Sequence, residues 1–64
     1  MSDEEIMDRV SKVIGLDGMT VNERLWECGL IDEFDKCLKN DKEKARRILA
    51  FIRIDRPSID KIVG

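Results

Sequence analysis

Apolar positions recur along this chain at helical spacing and never alternate as they would in a strand. The first set is Ile6, Val10, Val13 and Ile14, with Met7 at its border, and predicts a helix over about Asp3 to Ile14. Ser2 and Glu5 have capping-box spacing at its start, and Asp3, Glu4 and Glu5 suit the positive end of a helix dipole. Gly15 is placed to end the helix, and Leu16-Asp17-Gly18 continues as a turn.

The stretch from Thr20 to Leu38 carries the densest patterning. Thr20 and Glu23 form a second capping-box pair, after which Val21, Leu25 and Cys28 share a face. Beyond Gly29 the apolar set is Leu30, Ile31, Phe34, Cys37 and Leu38. At roughly 100° per residue the two faces differ by about 150°, so one straight helix would turn apolar surface to nearly opposite sides. Two arrangements resolve the conflict: two helices meeting at Gly29, where glycine tolerates a left-handed backbone, or one bent helix buried on both sides.

Asn40-Asp41 interrupts the pattern and offers Asp41 as a cap. Ala45, Ile48, Leu49 and Ile52 then mark an amphipathic helix from Lys42 to about Arg53 or Ile54. Asp55-Arg56-Pro57-Ser58 is a helix start, because proline's missing N–H is harmless in a first turn, and Ile59, Ile62 and Val63 give the last apolar face. Glu5–Arg9, Asp8–Lys12, Asp32–Lys36 and Asp35–Lys39 are i, i+4 pairs of opposite charge on the outward faces. The expected fold is all-α, a compact bundle of four or five short helices. It forms a single domain over 1–64, with 1–18 as an N-terminal helix and turn ahead of a helical core at 19–64.

Composition sharpens this picture in two places. At 64 residues a chain buries only about 60% of the surface it exposes unfolded, so packing between helices must supply most of its stability, with self-association as a homodimer a further source. The net charge of −2 hides an asymmetry: residues 1–38 carry ten acids against four bases, and residues 39–64 carry eight bases against four acids. That separation reads either as a basic binding face or as two halves that attract one another. No apolar run approaches the ~20 residues of a membrane span, and the N-terminus is acidic where a signal peptide is basic, so the expected location is the cytoplasm. Cys28 and Cys37 are then reduced and act as small buried hydrophobes.

Candidate chemistry is sparse. There is no histidine or tyrosine, hence no customary general base. Gly15 and Gly18 flank a turn that lacks the lysine of a phosphate-binding loop, and Asp32-Glu33-Phe34-Asp35 lacks the spacing and glycine of a calcium loop. With two cysteines and no histidine, no zinc site is complete within one chain. No enzyme activity, metal or cofactor is expected. Binding is the remaining class. Trp26 and Phe51 fall off the main stripes of their helices, where an aromatic side chain either plugs a core between angled helices or anchors a protein interface, with Arg24 and Glu27 as a polar rim around Trp26. Lys42, Arg46, Arg47 and Arg53 could instead track nucleic-acid phosphates, although the helix carries no Asn, Gln or Ser to read base edges.

The run Met19-Thr20-Val21-Asn22-Glu23-Arg24-Leu25, followed by Gly29-Leu30, Asp32-Glu33-Phe34-Asp35 and a helix with Ala45, Ile48 and Leu49, resembles a group of small uncharacterised bacterial proteins. These often begin at such an MTVNERL sequence and continue through a GL…FD segment, over roughly residues 19–54 here. The resemblance implies a bacterial or mobile-element origin and brings no activity or site residues with it. Residues 1–18 would be an additional helix relative to those proteins. The function expected is a small cytosolic protein-interaction module, such as an adaptor, an antitoxin- or immunity-like protein or a phage-type inhibitor. Nucleic-acid binding through 42–53 is the alternative.

Overall fold

Ser2 starts the first helix: its hydroxyl accepts from the Glu5 backbone N–H at 3.2 Å, with three acids in the first turn that follows. In this computed structural model, which describes residues 1–64, α1 runs Asp3–Ser11. Only half of the expected capping box forms there, because the Glu5 carboxylate does not return to Ser2. The helix also stops a turn early. Lys12 and Val13 close tighter turns onto Arg9 and Val10, so the β-branched pair Val13-Ile14 leaves the helix before Gly15 takes up a left-handed φ of +80°. Val13 is half-buried, while Ile14, expected on the buried face, is 93% exposed.

After a short 3-10 turn at Leu16–Gly18, the complete capping box of Thr20 and Glu23 opens α2, Val21–Glu27, with reciprocal bonds of 3.2 and 3.0 Å. Its end answers the question posed by the two apolar faces. Gly29 adopts φ +69°, its N–H bonds the Trp26 carbonyl at 3.0 Å, and the Leu30 N–H reaches back to Leu25 at 2.8 Å. This is a Schellman stop, in which buried Leu25 and Leu30 supply the accompanying apolar contact. The segment is therefore two helices, and α3, Ile31–Asn40, leaves at an angle with Phe34 and Cys37 buried.

Asp41 ends α3 and begins α4, Lys42–Phe51: its N–H bonds Cys37 at 2.8 Å while its carboxylate caps the Lys44 N–H at 3.2 Å. The C-terminus of α4 repeats the Schellman geometry without glycine. Arg53 carries the left-handed φ of +67°, and its N–H and that of Ile54 bond Ala50 and Leu49, each at 3.0 Å. Asp55 then caps α5, Arg56–Val63, through Ser58.

One core draws side chains from every helix, including Ile6 of α1 and Leu16 of the 3-10 turn. Its centre is α4 rather than the densely patterned 20–38 stretch. Helix α4 packs against α1, α3 and α5, and Ala45, Ile48, Leu49 and Ile52 are all at 0% exposure, while α2 packs on α3. The radius of gyration of 10.6 Å matches the roughly 10.7 Å expected of a compact chain this long. No helix is long and apolar enough to cross a membrane.

Two clamps reinforce this packing. Lys44 pairs with Glu33 at 3.1 Å, tying α4 to α3, and the Lys44 ammonium holds the Glu33 carboxyl below its ordinary range. The second clamp is Arg24. Its guanidinium donates to the carbonyls of Met19 (2.9 Å), Ile52 (2.9 Å), Arg53 (3.1 Å) and Asp17 (3.3 Å), so it fastens α2 to the end of α4 and to the preceding turn.

Candidate protein-binding surface

Trp26 follows Leu25 on α2, so when Leu25 points into the core Trp26 stands about 100° round the helix, facing outward. It is 73% exposed, on a molecule whose core is otherwise closed apart from Met1, Met7, Ile14 and Ile62 among the large apolar side chains. A solvated indole this size is the surface feature that burial does not explain. Beside it lies a hollow formed with Gly29, Ile31 and Asp32. Ile31 is also a wall of a larger apolar hollow, about 540 Å³, lined by Val21, Leu25, Phe34 and Ile62 with Thr20, Asn22 and Asp35 at its edges. The two hollows share Ile31, with Trp26 lining the smaller and Ile62, 40% exposed, lining the larger.

The expected anchors and rim are separated by the structure. Phe51 is half-buried against the core and lines neither of these hollows. Arg24, expected beside Trp26 as a rim, is half-buried and committed to the four carbonyls described above; the sequence offers no hint of acceptors that lie so far away along the chain. Glu27 is exposed and forms no ion pair, as the rim reading requires, although it lines a different hollow with Arg9, Lys12, Val13, Ile14 and Cys28. Ile31, Ile62, Val21, Asp32 and Asp35 were not expected at a binding surface. Each belongs to an ordinary helical pattern, and only the corner at Gly29 and the landing of α5 place Val21, Ile31, Asp35 and Ile62 round one hollow and Asp32 beside Trp26 in the other.

The basic candidates are mostly neutralised. Arg46 pairs with Asp60, Arg47 with Asp3 at 3.2 Å and Arg53 with Asp17 at 3.3 Å, leaving Lys42 alone without an acidic partner. Together with Lys44–Glu33, three of these contacts join the basic half of the chain to the acidic half, which is the attraction its charge asymmetry allows. The remaining concentration of positive charge is a shallow hollow where Arg46, Arg47 and Arg56 surround Ala50, Ile54 and Ile59 beside Glu43. Of the outward i, i+4 pairs only Asp8–Lys12 forms, at 3.0 Å. Arg9 turns instead to the Gly29 carbonyl at 3.2 Å, and exposed pairs such as Asp32–Lys36 gain too little to hold two flexible chains together.

Both cysteines are buried and free, and burial pushes both thiols up from their ordinary range, which leaves little thiolate for reaction or metal binding. No group of three or more Cys, Asp and Glu residues is arranged to hold a metal ion. Compared with protein-family models, curated proteins and solved structures, the chain matches none, so the surface around Trp26 has to be interpreted from its own chemistry.

Proposed function

We propose that this chain is a small cytosolic protein-binding module, of the adaptor, immunity-like or phage-inhibitor kind, that engages its partner through Trp26 and the hollow beside it. The observation that supports this most is the exposed indole of Trp26, which lines a surface hollow with Gly29, Ile31 and Asp32. Tryptophan is the residue most enriched among interface anchors, because a rigid ring releases much apolar surface from water at little entropic cost. The wild-type chain as bait, compared with Trp26→Ala, tests this reading. One or a few proteins from a bacterial lysate should be retained by wild type and lost from the variant, whose circular dichroism should be unchanged. Retention of the same proteins by both would refute it.

A second reading, phosphate contact, draws on the hollow that gathers Arg46, Arg47 and Arg56. The net charge of −2 and the ion pairs of Arg46 and Arg47 oppose it. Binding to a nucleic acid would weaken steeply with salt and be lost on replacing these arginines with glutamine, while Trp26→Ala left it intact.

A further inference from the structure

Helix α1 is held less firmly than the helices it covers. Ile6 is its one buried side chain, where α3 has two and α4 three. Helix α2 also buries a single side chain, but Arg24 fastens it at four carbonyls. The ties of α1 are fewer and wetter. Asp3 pairs with Arg47 at 3.2 Å with both side chains half-exposed, and Arg9 donates to the Gly29 carbonyl at 3.2 Å in an exposed bond. Just ahead of the helix, the Met1 carbonyl accepts from the Lys44 ammonium. Exposed contacts of this kind stabilise little, and a nine-residue helix has almost no stability of its own.

The two cysteines lie at opposite ends of this helix. Cys28 shares a hollow with Arg9, Lys12, Val13 and Ile14, where α1 finishes, and Cys37 shares one with Met1, where the chain enters α1. Each cysteine is 4% exposed.

We propose that α1 is a detachable cover over both thiols. It lifts from the body formed by α2 to α5 as a unit, uncovers Cys28 and Cys37 in one event, and is held off when either thiol forms a mixed disulfide with a small-molecule disulfide. A segment with few buried apolar contacts opens at a fraction of the global unfolding free energy, so this opening precedes loss of the α4 core. Once uncovered, the cysteine gives its proton to solvent and the thiolate attacks one sulfur of the disulfide. That S–S bond breaks, and the other half leaves as a thiolate. The adduct occupies space that the closed chain leaves to a nearly inaccessible thiol, so α1 cannot reseat. Lifting also frees Arg47 from Asp3 and Lys44 from Met1. The result is a thiol-responsive switch that makes no use of Trp26.

Excess aromatic disulfide, with the released thiolate read by absorbance, gives the rate at each site in Cys28→Ala and Cys37→Ala, each of which keeps one thiol. Ile6→Val should speed both reactions by about two- to tenfold, the effect of one methyl lost from a buried contact, and the surface change Asp3→Asn should speed both as well. Ile59→Val, which loosens α5 instead, should leave both rates unchanged. Should an alanine variant not fold, initial rates at the two sites of the wild-type chain, separated by mass spectrometry after digestion, make the same comparison. Single adducts formed with glutathione disulfide should lose the helical circular dichroism of the nine residues of α1 and keep the rest.

Rates that Ile6→Val leaves unchanged, or that Ile59→Val raises equally, would place the thiols under the global fold and overturn the proposal. Acceleration at one cysteine alone would overturn a shared cover. A glutathione adduct that keeps the whole helical signal, or that loses all of it, would overturn the switch.

Discussion

Arg24 is the side chain whose replacement distinguishes most sharply between the rim position its sequence neighbours imply and the clamp that the fold makes of it. Its contacts to Met19 and Ile52 are partly buried, and those to Arg53 and Asp17 are exposed. Water replaces the exposed pair at little loss, so the partly buried bonds to a charged donor set the magnitude, about 1–1.5 kcal/mol each. Arg24→Ala should therefore cost about 2–3 kcal/mol. A domain this size has about 3–10 kcal/mol in all, and the midpoint of thermal unfolding should fall by roughly 10–20 °C. Arg24→Lys, which has a point charge but no fork, should recover about half of the loss. Urea and thermal unfolding followed by far-ultraviolet circular dichroism measure both, with Glu27→Ala as the exposed neighbour expected to change stability by less than about 0.5 kcal/mol. If Arg24→Ala matched Glu27→Ala, or if lysine fully replaced arginine, the clamp would be wrong and Arg24 would return to the rim of Trp26.

The two left-handed corners should respond in opposite directions. Gly29→Ala places a Cβ at φ +69° and 2.8 Å from the Arg9 guanidinium, and should cost about 1–2 kcal/mol in urea unfolding, whereas Arg53→Gly relieves the same backbone penalty and should raise stability by up to about 1 kcal/mol despite losing the exposed pair with Asp17. Stability should hold between about pH 5.5 and 8 and fall on both sides. The Thr20 amide and hydroxyl hold Glu23 low, the Lys44 ammonium holds Glu33 low, and the Ser58 hydroxyl and amide hold Asp55 low, so what these carboxylates contribute is present above the ordinary carboxylate range and lost as pH falls through their lowered values. On the alkaline side, burial raises Cys28 and Cys37 and the Glu33 contact raises Lys44, so their contributions are whole below the unfolded values and lost as pH rises through the raised ones. Urea midpoints across pH check both limbs, and Glu33→Gln should shrink each. Cys28 and Cys37 should react with an aromatic disulfide only as fast as the chain opens; rapid labelling of the native protein would contradict their burial.

Helix starts were the most legible feature of this chain, because a cap is a contact between residues three apart: Ser2, Thr20, Asp41 and Asp55 each bond the amide three residues on. The stripe Ala45, Ile48, Leu49 and Ile52 was equally legible, since a wholly apolar face has nowhere to go but inside. Local chemistry determined less where two outcomes have similar local energies. Gly29 permitted a corner or a bend, and the corner prevailed because it lets Leu25 and Leu30 enter one core. Arg53 shows the same preference overriding local cost, a left-handed arginine held by the docking of Arg24 on its carbonyl.

What the sequence alone determined, then, is that this is an all-α chain with four of its five helices beginning at side-chain caps and its charge divided between two halves. The tertiary structure decided how those charges are used, pairing Arg47 with Asp3 and Arg53 with Asp17 rather than leaving a basic face. It also decided that Phe51 packs against the core while Trp26 stays in water, with Ile31 and Asp32 beside it. The physical reason is range. Caps and stripes are settled within a few residues, whereas the partner of an arginine or the cover of an aromatic ring depends on helices far apart in the chain arriving at the same place.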